Sequence, residues 1–459
     1  MSLTSTPQGA DPATRALIAH CGRAIVVWLA VAMIAAGDRP LDSHGLLGVS
    51  VAAAIWLVAL RTASAASPYV LGPWVPAAIG STTGLVCVMA LNPYLPGLQL
   101  SVAAQLGMWA GVLLSSAVWE TALERTAKRR VLVVGTTVLA DIATAAARAG
   151  RMPFEIVPAA GQLAADPESQ NGSLTPNDLA PIVAAQRPDL IVLTDEHSCS
   201  QALERLLDIT DRQFRVSGLA NFYEYAFGCV PLRELTPWWF LSLLHVRQRA
   251  PGRPSKRAFD IVVASIGLVL TALLFPLLAL AIKCTPGPVV YRQRRVGERG
   301  RHFTMYKLRT MSVTAEQSGA VFAQEGDPRV TGVGRFLRRT HLDELPQLWN
   351  VLKGEMSIVG PRPERPEFVA MLEAEVPFWS RRLLMKPGMT GWAQVRCGYA
   401  SDCESAADKL SHDFWYMRHG NLAVDVAVCL RTALLAVEVL RPRRPRFRHR
   451  PRAARGHAR

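Results

Sequence analysis

Four long apolar stretches in the first 120 residues constrain this chain more than any other feature. They cover residues 17–36, 46–61, 69–91 and 97–119, and a membrane-spanning helix needs about 20 apolar residues. Only 19% of the residues are charged, whereas a soluble protein has roughly a quarter. We therefore predict a membrane protein in which residues 1–120 form a four-helix transmembrane region.

Basic residues in the connecting loops indicate how this region is oriented, because cytoplasmic loops are enriched in Lys and Arg. The loop after the fourth stretch holds Arg125, Lys128, Arg129 and Arg130, and Arg61 begins the loop after the second. Only Arg39 lies in the loops on the other side. An even number of spans then puts the N-terminus and everything after residue 120 in the cytoplasm.

The next segment, 128–235, alternates short apolar runs with helical stretches. A valine-rich run at 131–134, "FEIVPAA" and "PDLIVLTD" read as three strands, and this alternation is typical of a small doubly wound parallel sheet. A dinucleotide site needs three closely spaced glycines, and here only Gly135 is present. We predict a degenerate Rossmann-like domain with a structural or regulatory role, and an active nucleotide site is the alternative.

A second membrane element is predicted at 256–283. From Ile261 to Ile282 there are 22 residues without a charge, and a straight helix of that length measures about 33 Å, enough to cross a bilayer. Pro276 removes one backbone donor and disfavours the helical state of Phe275. The pattern leaves two topologies open: a kinked helix that crosses, or a helix that bends at Phe275-Pro276 and returns.

Charge and cysteine content add two expectations. Of the net charge of +15, nine arginines lie in residues 441–459, which leaves about +6 for the rest. We expect this basic, disordered tail to contact anionic membrane lipids and not nucleic acid, because the chain is already tethered to a membrane. The eight cysteines form no C-x-x-C pair, which favours reduced thiols.

Two adjacent acids, Asp343 and Glu344, precede Pro346 in "THLDELPQLWNVLKGEMSIVGPRP". Proline is best tolerated in the first turn of a helix, so a helix is predicted to begin near Asp343. Acids at that place have a plain structural use as helix caps. Their surroundings favour chemistry, because the nearby cations include Lys307, Arg309, Arg338 and Arg362.

Those cations suit phosphate groups, since arginine offers two parallel donors to phosphate oxygens. One carboxylate together with substrate phosphates is a usual way to hold Mg²⁺. The other acid is then available as a nucleophile, because Asp forms covalent phosphoryl intermediates in other enzymes. The pattern predicts a phosphate-handling site with Mg²⁺ as cofactor.

Several long motifs in this region resemble the bacterial sugar transferase family, the monotopic polyprenyl-phosphate phosphoglycosyl transferases. They occur in the family's order and are "KRAFD", "VVYRQRRVGERGRHFTMYKLRTM", "DPRVTGVGRFLRRTHLDELPQLWNVLKGEMSIVGPRP" and "MKPGMTGWAQV". With four leading apolar segments and a Rossmann-like domain, the chain looks like the large form of the family. Its C-terminal sequence resembles the exopolysaccharide branch of this family.

The resemblance implies transfer of a sugar 1-phosphate from a UDP-sugar, with glucose and galactose the common choices, to undecaprenyl phosphate. UMP is released and exopolysaccharide synthesis begins. By the same resemblance Asp343 is the nucleophile, Glu344 positions Mg²⁺, and Lys307, Arg338 and Arg362 contact phosphate. Downstream glycosyltransferases and a flippase are the expected later partners, and a homodimer suits such a domain pair.

The resemblance also implies a mixed α/β catalytic domain over 284–440 and a re-entrant membrane helix at 256–283 whose break matches Phe275-Pro276. UDP-sugars are cytoplasmic, so the enzyme is expected in the bacterial inner (cytoplasmic) membrane as a multi-pass protein with its catalytic domain facing the cytoplasm. That location agrees with the loop charges.

Departures from the family pattern are His341, Lys386, His412 and Trp415, and none of them replaces the Asp-Glu pair. Two other classes were weighed. A membrane-anchored sugar-nucleotide dehydratase needs an intact glycine-rich loop and a Tyr-x-x-x-Lys pair, and neither is present. A non-catalytic scaffold or regulator of polysaccharide assembly would be free to lose the acids and their cations, which are all kept.

Overall fold

The structure, a computed structural model, describes most of the chain and forms two compact units. One unit contains Met1–Gly252 and Tyr399–Ala427, and the other contains Arg253–Gly398 and Val428–Arg459. The described residues are 12–38, 40, 42–66, 71–72, 74–94, 99–126, 129–134, 142, 154–157, 179–194, 206, 214–235, 239–241, 243, 252–315, 327–397 and 406–440.

The first unit begins with four long helices, which confirms the four predicted stretches. They are Pro12–Asp38, Ser43–Ala66, Trp74–Leu91 and Val102–Thr126. Their shared core includes the fully buried Trp56 and Met108, and a Cβ on Gly84 would lie 2.2 Å from Cδ1 of Trp56. Arg23, the one charge inside the first stretch, forms an ion pair with Glu120 of the fourth helix.

Five helices of the described chain are long and apolar enough to cross a membrane. Four are those of the first unit, and the fifth runs over Pro254–Lys283 with the highest mean hydropathy, 2.6. Length and composition therefore support the membrane assignment of both predicted elements.

A four-stranded parallel sheet follows the four helices in the first unit. Its strands are β1 (Arg129–Val134), β2 (Phe154–Val157), β3 (Leu190–Leu193) and β4 (Arg215–Gly218), in the order β2-β1-β3-β4. The three predicted strands are confirmed, and β4 is additional. Gly135, the only glycine of the degenerate signature, lies outside the described residues.

Alternation along β1 explains why helices cover both faces of this sheet. Val131 and Val133 pack against Phe222 of the helix Leu219–Ala226. Leu132 and Val134 pack on the other face against Val183 of the helix Leu179–Gln186. Successive side chains of a strand point to opposite faces, so an unbroken apolar run is what a doubly covered strand requires.

The second unit is a small mixed α/β arrangement on a long apolar helix, Gly252–Lys283. An antiparallel hairpin pairs β5 (Val290–Val296) with β6 (His302–Leu308), and a short parallel pair joins β7 (Ser357–Val359) to β8 (Gly388–Thr390). The other helices between residues 284 and 440 are Gly332–Thr340, Gln347–Lys353, Pro366–Glu375, Trp392–Cys397, Ala406–His419 and Leu422–Leu440.

The long helix continues without interruption through Phe275 and Pro276. The predicted bend at these residues does not end the helical structure, and the bend itself stays a prediction. Proline removes one hydrogen bond and can bend a helix that its other hydrogen bonds keep intact. The return of this helix to the side from which it enters stays a prediction.

Two further expectations need comment. Cys397 is disulfide-bonded, so the expectation of reduced thiols is wrong for this residue, although Cys21, Cys87, Cys229, Cys284 and Cys429 carry reduced thiols. The segment Tyr399–Ala427 belongs to the first compact unit, while the predicted catalytic domain spans 284–440. The tail 441–459 lies outside the described residues.

Candidate active site

The two acids lie in a short 3₁₀ turn between two helices. The helix Gly332–Thr340 begins at Thr331, whose side chain accepts a hydrogen bond from the Gly334 N–H, and ends at His341 in the left-handed conformation, φ 58°. The turn Leu342–Glu344 follows directly.

The next helix runs over Gln347–Lys353 with Pro346 as its N-cap. The acids therefore precede this helix. The sequence had predicted instead that they form its first turn. The cations around them, and not a helix N-terminus, dominate their surroundings.

Glu344 is held by two cations on the same oxygen. Lys307 Nζ lies 3.0 Å and Arg362 NH2 lies 2.9 Å from Glu344 Oε1. Lys307 comes from β6 and Arg362 from the turn after β7. Burial alone would raise the pKa of Glu344, but Arg362 and Lys307 lower it well below its ordinary range. Glu344 is therefore ionised at every physiological pH.

Asp343 has the opposite electrostatic environment. Burial, followed by the charge of Glu344, raises the pKa of Asp343 to about 6, against the opposing effect of Lys307, Arg338 and Arg362. Asp343 is buried, with 7% of its surface exposed. At pH 7 this carboxylate is largely ionised but more basic than a free aspartate, as suits a nucleophile.

Arg338 and His341 flank the acids from the preceding helix. The guanidinium of Arg338 donates from Nε to Thr310 Oγ1 at 2.9 Å, and its charge acts on Asp343. Burial lowers the pKa of His341, and the charges of Arg362 and Lys307 act in the same direction. The imidazole is therefore neutral at pH 7.

Arg309 does not join this cluster in the way that the sequence predicted. Its guanidinium is buried and donates to four backbone carbonyls, those of Ile282, Thr285, Pro286 and Pro288, at 2.7–3.1 Å. The last carbonyls of a helix lack intrahelical donors. Arg309 therefore stabilises the end of the long helix, and its assignment as a phosphate ligand stays a prediction that these contacts do not support.

Two residues that the sequence did not single out fasten the start of the long helix. Arg257 donates to the carbonyls of Val351 and Leu352 at 2.7 Å each. Buried Asp260 accepts from Ser357 Oγ and the Ile358 N–H at 3.0 Å. The "KRAFD" motif carried this information, because an Arg and an Asp three residues apart lie on one face of a helix.

The described residues contain no group of three or more His, Cys, Asp or Glu side chains that would hold a metal by themselves. Mg²⁺ does not need one, since it is usually bound through one or two carboxylates plus substrate phosphates. Glu344 is ionised, and both of its cations contact Oε1. An ionised Glu344 is compatible with Mg²⁺ once a substrate supplies phosphate oxygens, and the metal stays a prediction.

Comparison with known proteins places this site in a family. The family model described as bacterial sugar transferase matches residues 252–439. An Aeromonas hydrophila protein named UDP-N-acetylgalactosamine-undecaprenyl-phosphate N-acetylgalactosaminephosphotransferase is 47% identical over 178 residues, which cover 39% of this chain and 42% of the relative.

Two further relatives match the same kind of segment. A Bacillus subtilis protein, named putative undecaprenyl-phosphate N-acetylgalactosaminyl 1-phosphate transferase, is 53% identical over 154 residues, 33% of this chain and 81% of the relative. A Caulobacter vibrioides UDP-glucose:undecaprenyl-phosphate glucose-1-phosphate transferase is 44% identical over 183 residues, 39% of this chain and 67% of the relative. The chain belongs to the bacterial sugar transferase family, as a large member in which apolar helices precede the transferase segment.

Proposed function

We propose that this protein transfers a sugar 1-phosphate from a UDP-sugar to undecaprenyl phosphate, releases UMP and so initiates exopolysaccharide synthesis. The names of the relatives support the two substrates. The observation that carries the proposal is the pairing of the buried, unusually basic Asp343 with Glu344, which Lys307 and Arg362 keep ionised.

In the first step a carboxylate oxygen of Asp343 attacks the phosphorus that bears the sugar. A bond from aspartate oxygen to phosphorus forms, and the bond from that phosphorus to the bridging oxygen of UMP breaks. UMP leaves with the electron pair as a phosphate anion. Arg338 and Arg362 would bind the phosphate oxygens and offset the charge that builds up on them.

In the second step an oxygen of undecaprenyl phosphate attacks the same phosphorus. The bond to Asp343 breaks, the carboxylate is regenerated, and the product is an undecaprenyl diphosphate sugar. Neither step requires a net proton transfer when the carboxylate and the acceptor phosphate are ionised. The raised pKa of Asp343 makes the acid the group that limits activity below pH 6.

Mg²⁺ bound through Glu344 would neutralise charge on the donor diphosphate. Burial is the main effect that lowers the pKa of Lys307. Lys307 is paired with Glu344 and thereby fixes the orientation of that carboxylate. Arg362 touches Glu344 and leaves 41% of its side chain exposed, which gives it surface for a substrate phosphate as well.

The long helix supports a membrane-anchored enzyme with its catalytic residues at the lipid boundary. Its start is fastened by Arg257 and Asp260 and its end by Arg309, all to the same unit. In between, a Cβ on Gly267 would lie 2.8 Å from Leu348. A helix attached along its length to one polar unit favours the return to one side, with that unit in the cytoplasm at the inner membrane.

We propose glucose or galactose as the sugar, and relatives differ on this point. Their names specify N-acetylgalactosamine, glucose and galactose. The test is UMP release by the full-length protein with undecaprenyl phosphate, Mg²⁺ and a panel of UDP-glucose, UDP-galactose and UDP-N-acetylgalactosamine. Turnover with UDP-glucose or UDP-galactose supports the proposal. No UMP from any donor would contradict the function, and turnover with only the N-acetylated donor would contradict the choice of sugar.

A further inference from the structure

The end of the long helix marks a boundary between apolar and polar surroundings. Leu277 and Leu280 are 68% and 71% exposed, and Lys283 is the last residue of the helix. Such a large unpacked apolar face in a helix of this hydropathy is lipid-facing. The headgroup region therefore lies near Lys283, whether the helix crosses the bilayer or returns.

The β5–β6 hairpin is rooted at this boundary. β5 begins seven residues after Lys283. Arg309 directly follows β6, and its NH2 donates to the carbonyls of Ile282 and Thr285 at 3.1 and 2.8 Å. The first residues of β5 and the last residues of β6 are thereby fixed beside the end of the membrane helix.

One face of the hairpin near its root carries exposed cations that the candidate active site does not use. Arg292 and Arg294 are both exposed and lie on the same face of β5. The register pairs Arg292 with Tyr306 and Arg294 with Thr304. The opposite face holds Lys307, which is paired with Glu344.

Two cationic side chains lie near the ring of Tyr306 on this face. The guanidinium carbon of Arg292 lies 6.0 Å and Lys353 Nζ lies 5.6 Å from the centroid of its ring. Lys353 is offset by Glu355 at 2.9 Å. Among the described residues no salt bridge involves Arg292 or Arg294, so their charge is available to a partner.

We infer that Arg292, Arg294 and Tyr306, here called the basic strip, bind anionic phospholipid headgroups around the membrane helix. Basic side chains beside a membrane attract anionic lipid within about a Debye length, roughly 8 Å at physiological salt. At about 3.3 Å per residue, Arg292 and Arg294 lie roughly 7 and 13 Å along the strand from its start. Tyrosine rings favour the same interfacial depth.

The same hairpin offers a matched control. Arg299 and Arg301 at its tip are also exposed, but they lie beyond the full length of β5, about 20 Å from its root. They carry the same charge on the same element but lie about 7–13 Å farther from its root than the basic strip, so screened attraction to the headgroups is much weaker there. The inference does not depend on the proposed transfer reaction.

The test uses full-length protein in nanodiscs that contain phosphatidylglycerol with a photoactivatable headgroup. Cross-links to β5 and β6 peptides are quantified by mass spectrometry for the wild type, for Arg292→Gln/Arg294→Gln and for Arg299→Gln/Arg301→Gln. We expect at least about a fivefold loss in the strip variant and little change in the tip variant. Raising salt from 50 to 500 mM should also reduce cross-linking in the wild type.

Four results would overturn the inference. The first is unchanged cross-linking in the strip variant, and the second is an equal loss in the tip variant. The third is equal cross-linking by a phosphatidylcholine probe, which would indicate contact without charge selection. A raised donor KM for the strip variant in phosphatidylcholine discs would instead make the strip a substrate site, and would also count against it. The salt series needs no variant and therefore decides the matter even if a variant misfolds.

Discussion

Asp343 and Glu344 are adjacent in sequence but opposite in electrostatic character. Glu344 takes both nearby cations on one oxygen, whereas Asp343 is buried beside the charge of Glu344. The penalty on ionised Asp343 amounts to a pKa raised from 3.8 to about 6, equivalent to about 3 kcal/mol at neutral pH. Stability is therefore given up at the residue that the proposed mechanism uses as nucleophile.

Replacing Asp343 by Asn tests directly whether this residue lowers stability and is required for activity. The substitution removes a buried charge whose ionised form is disfavoured, so Asp343→Asn should abolish UMP release and raise the free energy of unfolding by about 1–3 kcal/mol at pH 7. The gain should vanish as the pH falls below about 4, where Asp343 is neutral in both folded and unfolded protein. Retained turnover, or a lower melting temperature at pH 7, would contradict the assignment.

Glu344→Gln should behave oppositely in stability. It leaves buried Lys307 without its counter-charge, and breaking a buried pair in this way costs about 3–5 kcal/mol. Activity should also fall, with a weaker response to Mg²⁺. The matched control is Glu367→Gln, which breaks the pair between the exposed Glu367 and Arg365 and should change stability little, because ion pairs with a solvent-exposed partner contribute little. Equal losses of stability in the two variants would contradict the buried pairing of Glu344 with Lys307 and Arg362.

At the residue scale, the sequence predicted which residues the site contains better than it predicted what each of them contacts. The acids and Lys307, Arg338 and Arg362 were predicted from their types and spacing, and the structure brings them together. Arg309 lies only two residues from Lys307, but it follows the last residue of β6, and its guanidinium donates to carbonyls at the end of the long helix. The packing of helices and strands decides which carbonyl groups lack a hydrogen-bond donor, so a sequence motif does not reveal them.

At the scale of elements, the long helix is held at its start, middle and end by the unit that carries the acids. Its length and apolar character were predictable from 22 uncharged residues. Its attachments were not, because each joins residues far apart in sequence, such as Asp260 and Ile358. The short turn around the acids was misjudged for a local reason: His341 adopts φ 58° and inserts a 3₁₀ turn before the helix begins.

Arg309→Lys separates a helix-anchoring role from a phosphate-binding role. Lysine keeps the charge but lacks the fork that reaches four carbonyls, so we expect a loss of about 2–4 kcal/mol in stability with an unchanged donor KM. Arg335→Lys, at an exposed position of the helix Gly332–Thr340, should have little effect on either. Normal stability together with a raised donor KM would return Arg309 to the phosphate site.

At the scale of the whole molecule, the front unit includes a piece of the transferase segment. The helix Ala406–His419 lies within the family match, yet it packs in the unit that holds the parallel sheet. Its Phe414 and Trp415 are fully buried. Trp415 Nε1 donates to the Glu224 carbonyl at 2.8 Å, and Arg418 NH1 donates to the Glu224 carboxylate at 2.8 Å.

These contacts give a structural account of two departures from the family pattern. Trp415 bonds to Glu224, and His412 Nδ1 lies 2.9 Å from the carbonyl of Gly228. The sequence identified both residues as unusual but had no partner to offer for them. The parallel sheet was predicted by its apolar runs, whereas the return of a C-terminal helix to it is a long-range contact without a local signal.

Removing residues 1–250 should therefore leave the proposed chemistry but weaken the fold. The acids and their cations are intact in the remainder, so measurable UMP release is expected in detergent. The helix Ala406–His419 loses Glu224 and Trp239, so its amides should exchange hydrogen much faster than in the full chain. A folded truncate without any activity would show that the front half takes part in chemistry, and unchanged exchange would contradict the packing described here.

The most direct measurement of the central claim is mass spectrometry of the intact enzyme and its peptides after exposure to UDP-sugar and Mg²⁺ without acceptor. The account predicts an added sugar phosphate on the peptide that carries Asp343, absent in Asp343→Asn, with a formation rate that drops about tenfold per pH unit below about 6. Adding undecaprenyl phosphate should discharge it. An enzyme that releases UMP into lipid-linked product while no adduct ever forms at Asp343 would contradict the account.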